Sequence, residues 1–109
     1  MKKLGLVKLP GASNVAVGVN ALDANTTGAN NSALGHSALS ANTTAANNVA
    51  VGHSALLSNT TGTRNIAIGT DAYHGSDTEN DNIAIGYQAM VTNTAGGTKN
   101  IAIGNYAGD

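Results

Sequence analysis

Apolar and polar positions along this chain repeat as a block. From Asn14 onward the pentad Asn-x-Ala-x-Gly, with an aliphatic residue at nearly every x, opens at Asn14, Asn31, Asn48, Asn65, Asn82 and Asn100, in steps of 17, 17, 17, 17 and 18 residues. Counting columns from the Asn, columns two and four carry Val or Ile, and only Ser32 and Leu34 depart from β-branched residues. Column three is always Ala, column five always Gly and column eight always Ala. Such period-two alternation, closed by Gly, predicts a short strand. A second, weaker strand is predicted over columns six to ten, as in HSALL at 53–57. Asn/Thr turns follow at Asn25, Asn42, Asn59 and Asn93, giving two strands and two turns per coil. A unit this short encloses no core alone and becomes stable by stacking on the next copy. The expected fold is therefore all-β: a parallel β-solenoid of about 17 residues per coil. Five full repeats and one partial repeat cover 14–109, and a coil of this length winds as a two-sided roll or a three-sided helix.

The first strand carries apolar residues on both faces. Val15 and Val17 point one way, Ala16 and Gly18 the other. A strand apolar on both sides is normally covered on both, and a two-strand coil covers one. The other side is expected to meet a second surface, and the Ala and Gly columns allow a neighbouring backbone to approach closely. The expected core and oligomer interface comprises Val15, Ala16, Val17, Gly18, Ala33, Ala50, Ile66, Ala67, Ile68, Ile83, Ala84, Ile85, Ile101, Ala102 and Ile103. The simplest assembly is a parallel trimer with three coils around one axis. The column-one residues Asn14, Asn31, Asn48, Asn65, Asn82 and Asn100 are expected to form a hydrogen-bonded ladder from coil to coil.

The pattern N-(V/I)-A-(V/I)-G-x-x-A resembles the repeat of trimeric autotransporter adhesin heads of the YadA type. The longer unit with its N-T-T-G turn, as at 48–64, is also similar to segments of bacteriophage tail and head fibres. The resemblance spans 14–109. It implies a left-handed parallel β-roll built as a trimer, on a virion fibre or at a cell surface. The implied role is a rigid shaft or an adhesive, receptor-binding head. A self-assembling head-to-tail filament is the alternative, because a contact between unlike ends need not close.

Composition suits a fibre. The 109 residues contain no Phe, Trp or Cys and three Tyr, so the core draws on Val, Ile, Leu and Ala. Eleven residues are charged, leaving Asn, Thr and Ser to face water. The charge is uneven. Lys2, Lys3 and Lys8 give residues 1–13 a balance of +3, whereas Arg64 and Lys99 stand against all six acids over 14–109, a balance of −4. The basic arm 1–13, set off by Pro10-Gly11, is expected to dock the fibre or cap the first coil. Its apolar run, Leu4 to Val7, is too short for a signal peptide, and no stretch elsewhere predicts membrane insertion.

Candidate chemistry is sparse. His36 and His53 share a column in successive coils, about 4.8 Å apart by strand spacing. Two imidazoles without a third ligand make a poor metal site. Asp71, Asp77, Glu79 and Asp81 cluster in the fourth coil without the spacing of a calcium loop, which favours a solvated turn. No metal or cofactor is implied. His36-Ser37 and His53-Ser54 adjoin, but strand neighbours face opposite sides, which argues against a proton relay. No catalytic set is expected. The absence of a basic stripe or stacking aromatics argues against nucleic acid. The N-x-T triplets at Asn25, Asn42 and Asn59 read first as turn geometry. An ice-binding face would need regular Thr-x-Thr ranks, which Asp77 and Ala95 interrupt. Contact with a host receptor or glycan is expected at the variable positions Tyr73, His74, Tyr87 and Gln88.

Overall fold

The computed structural model describes residues 13–75, 77–92 and 97–108. The basic arm expected at 1–13, apart from Ser13, and the turn at Asn93 lie outside the described residues. Six three-residue strands appear in chain order: β1 Val15–Val17, β2 Ser32–Leu34, β3 Val49–Val51, β4 Ile66–Ile68, β5 Ile83–Ile85 and β6 Ile101–Ile103. They form one parallel sheet in sequential order. Each strand pairs residue for residue with the same columns of the next coil: Val15 with Ser32, Ala16 with Ala33, Val17 with Leu34, and so on to Ile85 with Ile103. The chain is a β-solenoid whose rungs stay in register despite the longer last step.

Each strand ends at Gly for two reasons that Gly52 illustrates. Its φ of 129° lies where side-chain-bearing residues are strained, and a Cβ there would stand 2.7 Å from the backbone carbonyl of Gly69 in the next coil. The chain then turns. Ala55 N–H donates to Gly52 O at 3.3 Å, and Asn59 N–H donates to Leu56 O at 3.2 Å. Consequently the second strand expected over columns six to ten is not a strand. Columns seven and nine take positive φ in successive coils, for example Ser54 at 59° and Leu56 at 52°, and extended pairing is impossible there. Stacking still satisfies this side: Leu22, Leu39 and Leu56 each donate N–H to the column-eight carbonyl of the next coil at 3.0 Å. Left-handed backbone at a Leu costs roughly 1–2 kcal/mol, so the coil-to-coil bonds and tight packing are what hold it.

The interior reverses the expected use of the strand's two faces. Column-three Ala points inward, from Ala16 at 0% exposure to Ala102 at 6%, and packs with column-eight Ala and with Leu22, Leu39, Leu56, Tyr73 and Met90 of column nine. Val and Ile of columns two and four point outward. Small Ala is therefore the core residue, not the residue that admits a neighbour. The reason is space. Opposed Ala, Leu and two buried Asn columns already fill the coil, leaving no room for the Val and Ile pairs of columns two and four.

Candidate functional site

Two buried amide ladders brace the coil. In column one, Asn48 Nδ2 donates to Gly62 O at 2.8 Å within its own coil, while Asn48 Oδ1 accepts the backbone N–H of Asn65 at 2.9 Å in the next. The same pair of bonds recurs at Asn14, Asn31 and Asn65. Asn82 keeps the pattern across the inserted residue, donating to Gly97 O at 2.8 Å and accepting from Asn100 N–H at 2.9 Å. The ladder works through side chain and backbone, with one amide-to-amide contact, Asn100 Nδ2 to Asn82 Oδ1 at 3.1 Å. Column twelve forms the second ladder: Asn42 Nδ2 donates to Asn25 Oδ1 at 2.9 Å, and Asn59 Nδ2 to Asn42 Oδ1 at 3.2 Å. Asn42 and Asn59 are fully buried, so the amide nitrogens of these two N-x-T triplets serve turn geometry.

On the outside, columns two and four make a continuous aliphatic stripe. Val15, Leu34, Ile68, Ile101 and Ile103 are 50%, 51%, 37%, 70% and 66% exposed. Val17, Val49, Val51, Ile66, Ile83 and Ile85 are half-buried between their neighbours. In-register pairing aligns these side chains in two ranks, interrupted only by Ser32. At ordinary strand spacings the stripe is roughly 25 Å long and roughly 12 Å wide, or about 300 Å². A stripe of that size lies at the lower end of the largest apolar patch on an ordinary monomer, and such patches are often functional. Leu34, Val49 and Val51 belong to it although single residues do not announce themselves; their column does.

Flanking the stripe, column six carries Val19, His36, His53, Thr70, Tyr87 and Asn105. The rings of His36 and His53 stack, with centroids 5.1 Å apart and planes 7° from parallel. Ser37 Oγ lies 3.1 Å from His36 Nδ1 in a hydrogen bond. The expectation that Ser and His diverge here fails, because Ser37 sits in a turn with φ of 60° and not in a strand. The contact is exposed.

The expected ligand-contact residues separate. Tyr73 does not reach the outer surface: it fills the column-nine core position at 0% exposure, and its hydroxyl meets Asn82 Nδ2. A tyrosine in a column of Leu reads as variable, although variation inside the core gives the same signal. His74 is part-exposed, with Nδ1 3.9 Å from Asp71 Oδ1. Gln88 is half-buried. Tyr87 is exposed and meets Tyr106 edge to face at 5.4 Å, a partner that sequence columns did not single out.

The acids of the fourth coil take separate partners. Asp81 is gripped by Arg64 through Nε to Oδ1 at 2.6 Å and Nη2 to Oδ2 at 2.9 Å. That hydrogen bond holds the Asp81 carboxyl below its ordinary range, with attraction to Arg64 and Lys99 adding to it, and Asp81 in turn raises Arg64. Glu79 turns inward, accepting N–H from Asp77 at 3.3 Å and Thr78 at 3.2 Å. Asp77 Oδ1 accepts from Thr60 Oγ1 at 2.6 Å. Among the described residues, no three His, Cys, Asp or Glu side chains come together as a metal site. Among the same residues, no helix is long and apolar enough to cross a membrane. No protein-family model, curated protein or solved structure matches the chain.

Proposed function

We propose that this chain is a structural fibre module that associates with sister copies, most simply as a parallel trimer, through its outer aliphatic stripe. In this reading it forms a rigid shaft or head of a viral or bacterial surface appendage and performs no catalysis. One observation carries the proposal: a solenoid whose interior is already full still presents two ranks of Val, Ile and Leu to the outside, interrupted only by Ser32. A trimer gives each copy two neighbours, so the stripe becomes the apolar centre of an interface with a polar rim. The exposed Tyr87–Tyr106 pair, with Gln88 next to Tyr87 and part-exposed His74 in the preceding coil, is where a receptor or glycan would be touched.

The test is mass and shape in solution, by light scattering and electron microscopy, for the wild type and for Ile66→Ser/Ile83→Ser. Ser is tolerated by the rung, since Ser32 occupies the same column in β2. A chain of 10.7 kDa should scatter as three copies. The double variant should dissociate while keeping its circular dichroism spectrum. A monomeric wild type refutes the assembly, and open polymers shift the reading to the head-to-tail filament.

A further inference from the structure

We infer that the outer corner beyond β5 and β6 is a carbohydrate subsite that takes the apolar face of a neutral pyranose. The inference deepens the proposed contact with a receptor or glycan and rests on that reading. The chain has three Tyr and no Phe or Trp, and Tyr73 is buried, so its exposed phenol rings are those of Tyr87 and Tyr106 alone. They occupy columns six and seven of successive coils, 42% and 56% exposed, with ring centroids 5.4 Å apart and planes at 90°. One ring thus stands on the face of the other, which makes a right-angled recess at the surface. Hydrogen bonds fix it from beneath: Tyr106 N–H donates to Tyr87 O at 2.8 Å, and Asn105 Oδ1 accepts Tyr87 N–H at 3.0 Å.

A pyranose offers a face of C–H groups and a rim of hydroxyls. The C–H face lies favourably on the electron-rich face of an aromatic ring. The hydroxyls need both donors and acceptors, which side-chain amides and alcohols supply. Such groups adjoin the two rings: exposed Asn105, bonded to Tyr87; half-buried Gln88, next to Tyr87; and exposed Thr70, one coil earlier in the column of Tyr87, whose carbonyl accepts Gln88 N–H at 2.9 Å. Charge is scarce there. Columns six and seven of the last three coils hold Thr70, Asp71, Tyr87, Gln88, Asn105 and Tyr106, and the one acid among them, Asp71, has its carboxylate 3.9 Å from His74 Nδ1. With no cation in these columns to meet a carboxylate or phosphate, the recess fits an uncharged sugar and not an acidic one. A protein anchor is served by a fully desolvated pocket, whereas both rings here stay about half exposed. The proposed trimer presents three such recesses, and multivalency strengthens a weak single contact.

The experiment is an NMR titration of the full chain with the methyl glycosides of glucose, galactose, mannose and N-acetylglucosamine, and with sialyllactose as the acidic comparison. The ring signals of the tyrosines are followed. At least one neutral glycoside should shift Tyr87 and Tyr106 saturably and leave buried Tyr73 unmoved. Tyr87→Ala and Tyr106→Ala should each weaken that binding about fivefold with an unchanged circular dichroism spectrum, whereas Tyr106→Phe, which keeps the ring, should bind as the wild type does. No saturable shift with any neutral glycoside, binding of sialyllactose alone, or full binding by both alanine variants overturns the subsite. The titration is repeated on Ile66→Ser/Ile83→Ser, which keeps the corner. Glycoside binding by a wild type and a variant that are both monomeric upholds the subsite and refutes the assembly; a trimer that binds no glycoside does the reverse.

Discussion

Replacing Asn48 by Ala tests whether the column-one ladder holds the solenoid. Asn48 lies in the middle of the stack and is fully buried, so local fraying at an end does not mask the effect. Two bonds vanish. Gly62 O loses its 2.8 Å donor but keeps Asn59 Nδ2 at 3.0 Å, so it is not orphaned and the loss is about 1 kcal/mol. The backbone N–H of Asn65 loses its 2.9 Å acceptor and is left buried, which costs about 1–3 kcal/mol. The expected destabilisation is therefore about 3 kcal/mol, a large share of the roughly 5–15 kcal/mol that holds a domain together. In urea, with a slope of about 2 kcal/mol/M, the midpoint should fall by about 1.5 M when followed by circular dichroism. Thr44→Ala, at an exposed position in the neighbouring coil, is the control and should stay within about 0.5 kcal/mol of the wild type. If Asn48→Ala also stays within that band, the buried amides are incidental and the rungs are held by the strands alone.

Two further outcomes follow from the placement of side chains. Ala67 is at 0% exposure, so Ala67→Leu overpacks the coil and should cost about 1–3 kcal/mol by urea denaturation; a neutral result would mean that the strand's faces are reversed. Asp81 is held below its ordinary range by Arg64, so its contribution is complete at neutral pH and is lost as pH falls through that lowered value. Arg64→Gln should flatten this part of the acid limb in thermal melts scanned over pH, while an unchanged limb would show that the exposed pair does not contribute.

Much of the fold is legible in the sequence because a column that repeats six times averages away local ambiguity. Asn, Ala and Gly at fixed spacing determine the rungs, the register and the amide ladder, since each residue type meets itself one coil away. The second side was harder to read. HSALL has the alternation of a strand, but Gly52 ahead of it starts a turn, and left-handed φ at Ser54 and Leu56 then breaks extended pairing. Leu in that conformation has no signature of its own. Sequence columns also cannot say which face of VAV looks inward, because both faces are apolar; the volume left inside decides it. Tyr73 is ambiguous in sequence for a related reason: its column is interior, so its change from Leu is a repacking beside Asn82 and not a surface variation.

The reversal of the faces changes what the repeat implies. Had Val and Ile filled the core, the outward Ala and Gly columns would have been the face that lets a neighbouring backbone approach; the reversal passes that outward position to the Val and Ile columns. With Ala inside, the chain commits its smallest apolar side chains to the core and leaves its larger β-branched ones on the sheet's exterior. The core therefore contributes less than the apolar content of the sequence suggests, since stabilisation scales with apolar area removed from water. Against it stand the repeated left-handed positions, each of which raises the folded state's energy. Stacked amides and rung hydrogen bonds offset part of that cost within one chain. Burying the stripe against sister copies supplies a term the isolated coil lacks. The proposal thus ties stability to association: dilution below the assembly's dissociation constant should lower the melting temperature, and Ile66→Ser/Ile83→Ser should melt at that lower temperature at every concentration.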